Sequence, residues 1–85
     1  MTHSTSKQEA AMVMRFTNLM FLALESNRES KVVWTEIPIE DLIDGLQTNH
    51  EKLIDGFIAH NPDEIKKRCV NIANFAAMIA ERYSK

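Results

Sequence analysis

Ile39, Ile43, Leu46, His50, Leu53 and Phe57 recur at alternating steps of four and three residues. A strand turns its side chains to opposite faces at every second residue, whereas steps of three and four return to one face of an α-helix. With Leu42, Ile54 and Ile58 beside that seam, the spacing predicts a packed helix over about 38–59. Pro38 opens it, at a place where its missing N–H costs nothing. Before it, Ser6 and Glu9 form a capping-box pattern, and Met12, Val13, Phe16, Leu19, Met20, Ala23 and Leu24 continue at helical spacing. A first helix over about 6–27 follows, with 1–5 expected to be disordered. Asn61-Pro62-Asp63-Glu64 combines an N-cap residue, a first-turn proline and acidic residues, so a third helix runs over about 62–83. Its packing face is read as Ile65, Cys69, Ile72, Ala76 and Ile79, with Ala73, Ala77 and Ala80 admitting a close neighbour. The short link between the second and third helices pairs them antiparallel. Residues 27–36 have no helical period and read as an ordered connection.

A single domain of 85 residues buries only about 60% of the surface its unfolded chain exposes, so self-association is expected. Met14, Phe21 and Leu22 widen the apolar stripe of the first helix beyond one face, which points the same way. The expected fold is all-α, with three helices per chain in an oligomeric bundle, a homodimer or homotetramer. A net charge of -2 excludes a nonspecific DNA binder, which needs clustered Lys and Arg against phosphates. Cys69 is the single cysteine, so no internal disulfide forms, and a reduced, cytoplasmic setting is expected. No apolar run approaches the roughly 20 residues of a membrane span, and the N-terminus lacks a signal-peptide core.

The order of several residues carries a resemblance. Asn27, Lys31 and Trp34 precede the second helix, Leu53 lies within it, and Asp63-Glu64-Ile65 leads to Asn71-Ile72-Ala73-Asn74-Phe75-Ala76-Ala77-Met78-Ile79-Ala80. From Phe16 to Arg82 the chain resembles the small, all-helical MazG-like nucleoside triphosphate pyrophosphohydrolases, whose short forms include many encoded by phages. In that family, Glu-Glu-x-x-Glu-Leu on one helix and Glu-x-x-Asp on the next hold magnesium. Residues three and four apart share a helix face, so paired motifs converge their carboxylates, and magnesium demands such hard oxygen ligands.

Here the first motif aligns with Thr48-Asn49-His50-Glu51-Lys52-Leu53 and the second with Arg68-Cys69-Val70-Asn71, so all four expected acids are missing. The resemblance therefore implies a catalytically inactive homologue with neither catalytic residues nor a metal or other cofactor. It would bind or sequester a nucleotide or other phosphate-bearing small molecule at the former active site. Arg68 would grip phosphate as a bidentate fork and Lys52 as a point charge. Asn49, Asn71 and Asn74 would hydrogen-bond the ligand, Trp34 would stack on a base, and Lys31 would add charge from the preceding loop.

Competing readings are concrete. Lys52 and Arg68 can instead pair with Glu51, Asp55 or Glu64, and Trp34 can plug the end of a helical bundle. His50, on the seam, reads as a core histidine and Cys69 as a small buried hydrophobe. Asp44, Glu51 and Asp55 share a helix face and offer a displaced metal site for an active pyrophosphohydrolase. A third class is a protein-interaction module, an inhibitor or adaptor of another protein, with Met12, Met14, Met20, Phe21 and Leu22 as an adaptable contact patch.

Overall fold

The computed structural model describes residues 2–26 and 33–84, the side chains of 2–4 excepted. It contains α1 (Thr2–Ser26), a short 3₁₀ turn (Trp34–Glu36), α2 (Ile39–Ile58) and α3 (Pro62–Arg82). No strand occurs among the described residues, so the chain is all-α with three helices. The backbone is already helical at Thr2, ahead of the Ser6–Glu9 pair. Thr2, Ser4, Thr5 and Ser6 are all capping types, so composition marks a region for the start and not one residue.

α3 is the central helix, packed extensively on α2 and less so on α1. Gly45 lies against Phe75, Asn49 against Arg68 and Asn71, and Gly56 against Glu64 and Ile65. Numbers rise along one helix as they fall along the other, so the pair is antiparallel, as the short link requires.

The phase of α2 differs from the sequence reading by one residue. Leu42, Asn49 and Gly56 are the buried positions, with Gly45, Leu46 and Leu53 half-buried beside them. Ile43, His50 and Phe57 face solvent, which corrects the reading of His50 as a core histidine. The two stripes share a seven-residue repeat, and hydrophobicity alone favours the wrong one. The contact with α3 selects the other because glycine lets the helices approach and Asn49 supplies polar partners. Ala76, Ala77 and Ala80 of α3 are likewise exposed in the single chain.

Helix ends follow local chemistry. Pro38 sits one residue before α2 as its N-cap (φ -56°, ψ 143°), where its carbonyl accepts from the N–H groups of Asp41 and Leu42 at 3.0 and 3.2 Å. Its ring offers no capping acceptor, and Glu40 and Asp41 place negative charge in the first turn instead. α2 ends in a Schellman arrangement: Asn61 N–H donates to Gly56 O at 2.9 Å and His60 N–H to Phe57 O at 3.1 Å. His60 takes the left-handed conformation there, at φ 54°. Asn61 then caps α3, its side chain accepting from Glu64 N–H at 3.2 Å. The Glu64 carboxylate does not complete a capping box, because it is drawn to Arg68. At the far end, an Arg82 terminal nitrogen donates to Trp34 O at 2.7 Å and Ile37 O at 2.5 Å, tying α3 to the turn before α2.

The interior is thin. Leu42, at 1% exposure, is the one fully buried large side chain among the described residues, and Val70 is the other buried hydrophobe. The accessible surface is 6908 Å², against about 5,200 Å² expected of a folded monomer of this mass. The radius of gyration is 14.7 Å, where about 12 Å is usual for this length. Large apolar side chains are among the exposed residues: Met14 (73% exposed), Phe21 (56%), Phe57 (69%) and Ile58 (69%) stand in solvent.

Candidate functional site

The helix pairing brings three of the sequence candidates together. Asn49 leaves α2 at a buried position, directly opposite the turn of α3 that carries Arg68 and Asn71. Its side-chain oxygen accepts from Arg68 Nη1 at 3.0 Å and from Asn71 Nδ2 at 3.1 Å. Its own Nδ2 donates back to the Gly45 carbonyl at 2.8 Å. Arg68 Nε completes the network by donating to Glu64 Oε1 at 2.6 Å, within an ion pair one helical turn long.

This network is closed upon itself. The Arg68 side chain is only 15% exposed, against 32% for Glu64. The Glu64 carboxyl is held below its ordinary value of 4.5, chiefly by the hydrogen bond from Arg68 and further by the charges of Arg68, Lys67 and Lys52, while partial desolvation opposes the shift. Lys52 projects into solvent and adds to the positive field around Glu64. The two expected anion-gripping cations thus surround a carboxylate that the chain itself provides.

A divalent cation does not fit this donor set. The Asn49 oxygen already accepts twice, the Glu64 carboxylate is engaged by Arg68, and the guanidinium occupies the centre. Asp44, Glu51 and Asp55 are exposed on α2, and no three of His, Cys, Asp or Glu gather in a ligating group among the described residues. Neither the aligned positions nor the displaced set assembles the carboxylate cluster that magnesium requires.

Trp34 and Asn74 belong to a separate place. Both line a cavity of about 470 Å³, open to solvent, that Thr17, Met20 and Phe21 of α1 close on one side and Met78 and Glu81 of α3 on the other. Asn74 is buried there. Its Nδ2 donates to the Met20 carbonyl at 3.2 Å, fixing α1 on α3, and its Oδ1 has no hydrogen-bond partner. A buried acceptor left unpaired is costly, of order 1–3 kcal/mol. Trp34 is positioned through its carbonyl by Arg82, whose Nε is also buried without a partner. Lys31 and Asn27 lie outside the described residues.

The sequence reading thus grouped seven residues, and the fold divides the six of them that are described. Asn49, Arg68 and Asn71 form one polar seam, Lys52 stands beside it, and Trp34 and Asn74 sit at the α1–α3 cavity. Glu81 and Arg82 escaped the reading. A basic residue in a last helical turn is a common C-terminal feature, and no local pattern reveals that Arg82 reaches the Trp34 and Ile37 carbonyls. Cys69 is a half-buried free cysteine. No described helix is long and apolar enough to cross a membrane. No model of a known family, no curated protein and no solved structure matches the chain.

Proposed function

We propose that this chain is a small helical protein-interaction module, a non-hydrolytic relative of the MazG-like pyrophosphohydrolases that works through its exposed helix faces. The observation that carries this reading is the excess of about 1,700 Å² over the surface of an ordinary monomer. Met14, Phe21, Phe57 and Ile58 stand exposed on that surface, and contiguous apolar surface marks contact with another macromolecule. The ion pair of Arg68 with Glu64 and its hydrogen bond to Asn49 support the same reading, because a phosphate gripping that guanidinium would have to break an ion pair already in place.

The α2 stripe of Ile43, Ile54, Phe57 and Ile58 is the surface through which an inhibitor or adaptor of this kind would act. Affinity capture with the wild-type chain and with Phe57→Glu tests it. A protein retained by the first and lost by the second is expected, and identical retention by both removes the reading. No release of pyrophosphate from nucleoside triphosphates in magnesium is expected of either.

A second reading rests on Asn74. Asn74 lines a cavity that Trp34 also lines, its unpartnered oxygen is buried beside it, and 470 Å³ is within the range of small-molecule sites. A planar heterocycle bearing N–H donors, such as the base of a nucleotide, would satisfy that acceptor after a small outward movement of α1 and would stack on the indole. Glu81 at the rim disfavours an approaching phosphate, so the base end of the ligand would enter. Titrating nucleosides and nucleotides while following Trp34 fluorescence tests this, and an unchanged signal across all bases discards it.

A further inference from the structure

The exposed stripe of α2 has two unlike borders. Ile43, Ile54, Phe57 and Ile58 stand in solvent, with His50 between them. On one side the helix turns into its contact with α3, past the half-buried Leu46 and Leu53. On the other side, Asp44, Glu51 and Asp55 each follow a stripe residue (Ile43, His50 and Ile54) by one position, so they keep to one edge along the helix. Glu40, one turn before Asp44, extends that edge. All four carboxylates are exposed, and among the described residues none of them has an ion-pair partner. Lys52, the only lysine or arginine of α2, lies a further residue round from Glu51 and so turns away from the stripe.

We infer that this face of α2 receives an amphipathic helix of another protein, one whose own edge carries lysine or arginine. The inference rests on the reading of α2 as a contact surface and gives the chemistry of what it contacts. Apolar side chains supply contact area to any partner, whereas a one-signed edge discriminates among partners. From Ile43 to Ile58 the stripe runs for about 22 Å, roughly four turns, the length of one ordinary helix laid alongside. Its steps of seven, four and three, from Ile43 through His50 and Ile54 to Phe57, are those of helix packed on helix.

Other occupants fit this face less well. In an antiparallel pair of α2 helices like edges meet, so a second copy would set carboxylates against carboxylates. In a parallel pair the acidic edge would meet the flank that α3 already covers. Membrane surfaces and nucleic acids present anionic groups, which the same edge repels. A basic edge instead places opposite charges along the rim of an apolar contact, where they steer association and fix register.

The test uses the full chain and a displayed library of cross-linked helical peptides about four turns long, with leucine fixed at the apolar positions and Lys, Gln or Glu randomised along each edge. The wild type is expected to enrich Lys over Glu along one edge by about threefold per position, within the range of exposed ion pairs. On the triple variant Asp44→Lys, Glu51→Lys, Asp55→Lys the preference is expected to reverse. Should that variant lose helicity, Asp44→Asn, Glu51→Gln, Asp55→Asn is used instead, and the preference for Lys is expected to vanish. Phe57→Glu is expected to recover none of these peptides. Recovery without an edge preference, a preference unmoved by the charge variants, no recovery by the wild type, or equal recovery by Phe57→Glu each overturns the inference. Peptides with neutral edges that the wild type holds and Phe57→Glu loses overturn the basic partner and leave the contact surface standing.

Discussion

The ring of Phe75 lies over Gly45 so closely that a β-carbon at residue 45 would come within 2.6 Å of two ring atoms. Alanine in a helix interior is ordinarily favoured over glycine by about 1 kcal/mol. Here the clash reverses the sign. Gly45→Ala is expected to destabilise the chain by about 1–3 kcal/mol, the usual range for overpacking. Phe75→Leu in the same chain relieves the clash, so chemical denaturation of the two single variants and the double variant should show strong non-additivity.

Asn49 serves two donors with one oxygen. Asn49→Ala leaves Arg68 Nη1 and Asn71 Nδ2 without that acceptor in a half-buried seam, and the expected loss is about 2–3 kcal/mol in a urea titration. An equal loss from Thr48→Ala, whose side chain is exposed one residue away, would show that the network is not the cause.

Acid should weaken the same seam. The Glu64 carboxyl titrates lower in the folded chain than in the unfolded one, so the unfolded chain takes up its proton first as pH falls. The contribution of Glu64 is complete above its ordinary value of 4.5 and is lost as pH drops through the lower, folded value. Thermal unfolding followed from neutral pH downward should show that loss, and Glu64→Gln should flatten the curve in this window. A Gln variant with the wild-type pH profile would refute it.

His60 holds a left-handed conformation that costs a residue with a β-carbon roughly 1–2 kcal/mol. Glycine removes this strain but gives the unfolded chain more freedom. The net expectation for His60→Gly is a gain of about 0.5–1 kcal/mol, read as a higher midpoint of denaturation.

How far the sequence disclosed the molecule can be judged from particular residues. Asn61-Pro62 announced the start of α3 because both act locally, Pro62 through its fixed φ and Asn61 through a side-chain oxygen three residues from its donor, and the Asn61 cap forms as expected. The period of α2 was legible for the same reason. Its phase was not: Ile43 and Phe57 look like core to any count of hydrophobicity, whereas Asn49 and Gly56 become interior only because α3 supplies an arginine and room for a close crossing. Asn49, Arg68 and Asn71, singled out as ligand-binding residues, stand together across two helices. Their engagement with Glu64 depends on rotamers, which spacing does not fix. Trp34 and Asn74 were grouped with them by order along the chain, and only the placement of α1 separates the two sets.

The tight link through His60 also bears on how the chain reaches its native form. Contacts between α2 and α3 join residues close in sequence, so the loop entropy lost in forming that hairpin is small. α1 must be gathered from much farther away, as the bond from Asn74 to Met20 shows. The hairpin should therefore assemble early and α1 settle afterwards, so mutations at Gly45 are expected to slow refolding while those at Met20 chiefly hasten unfolding.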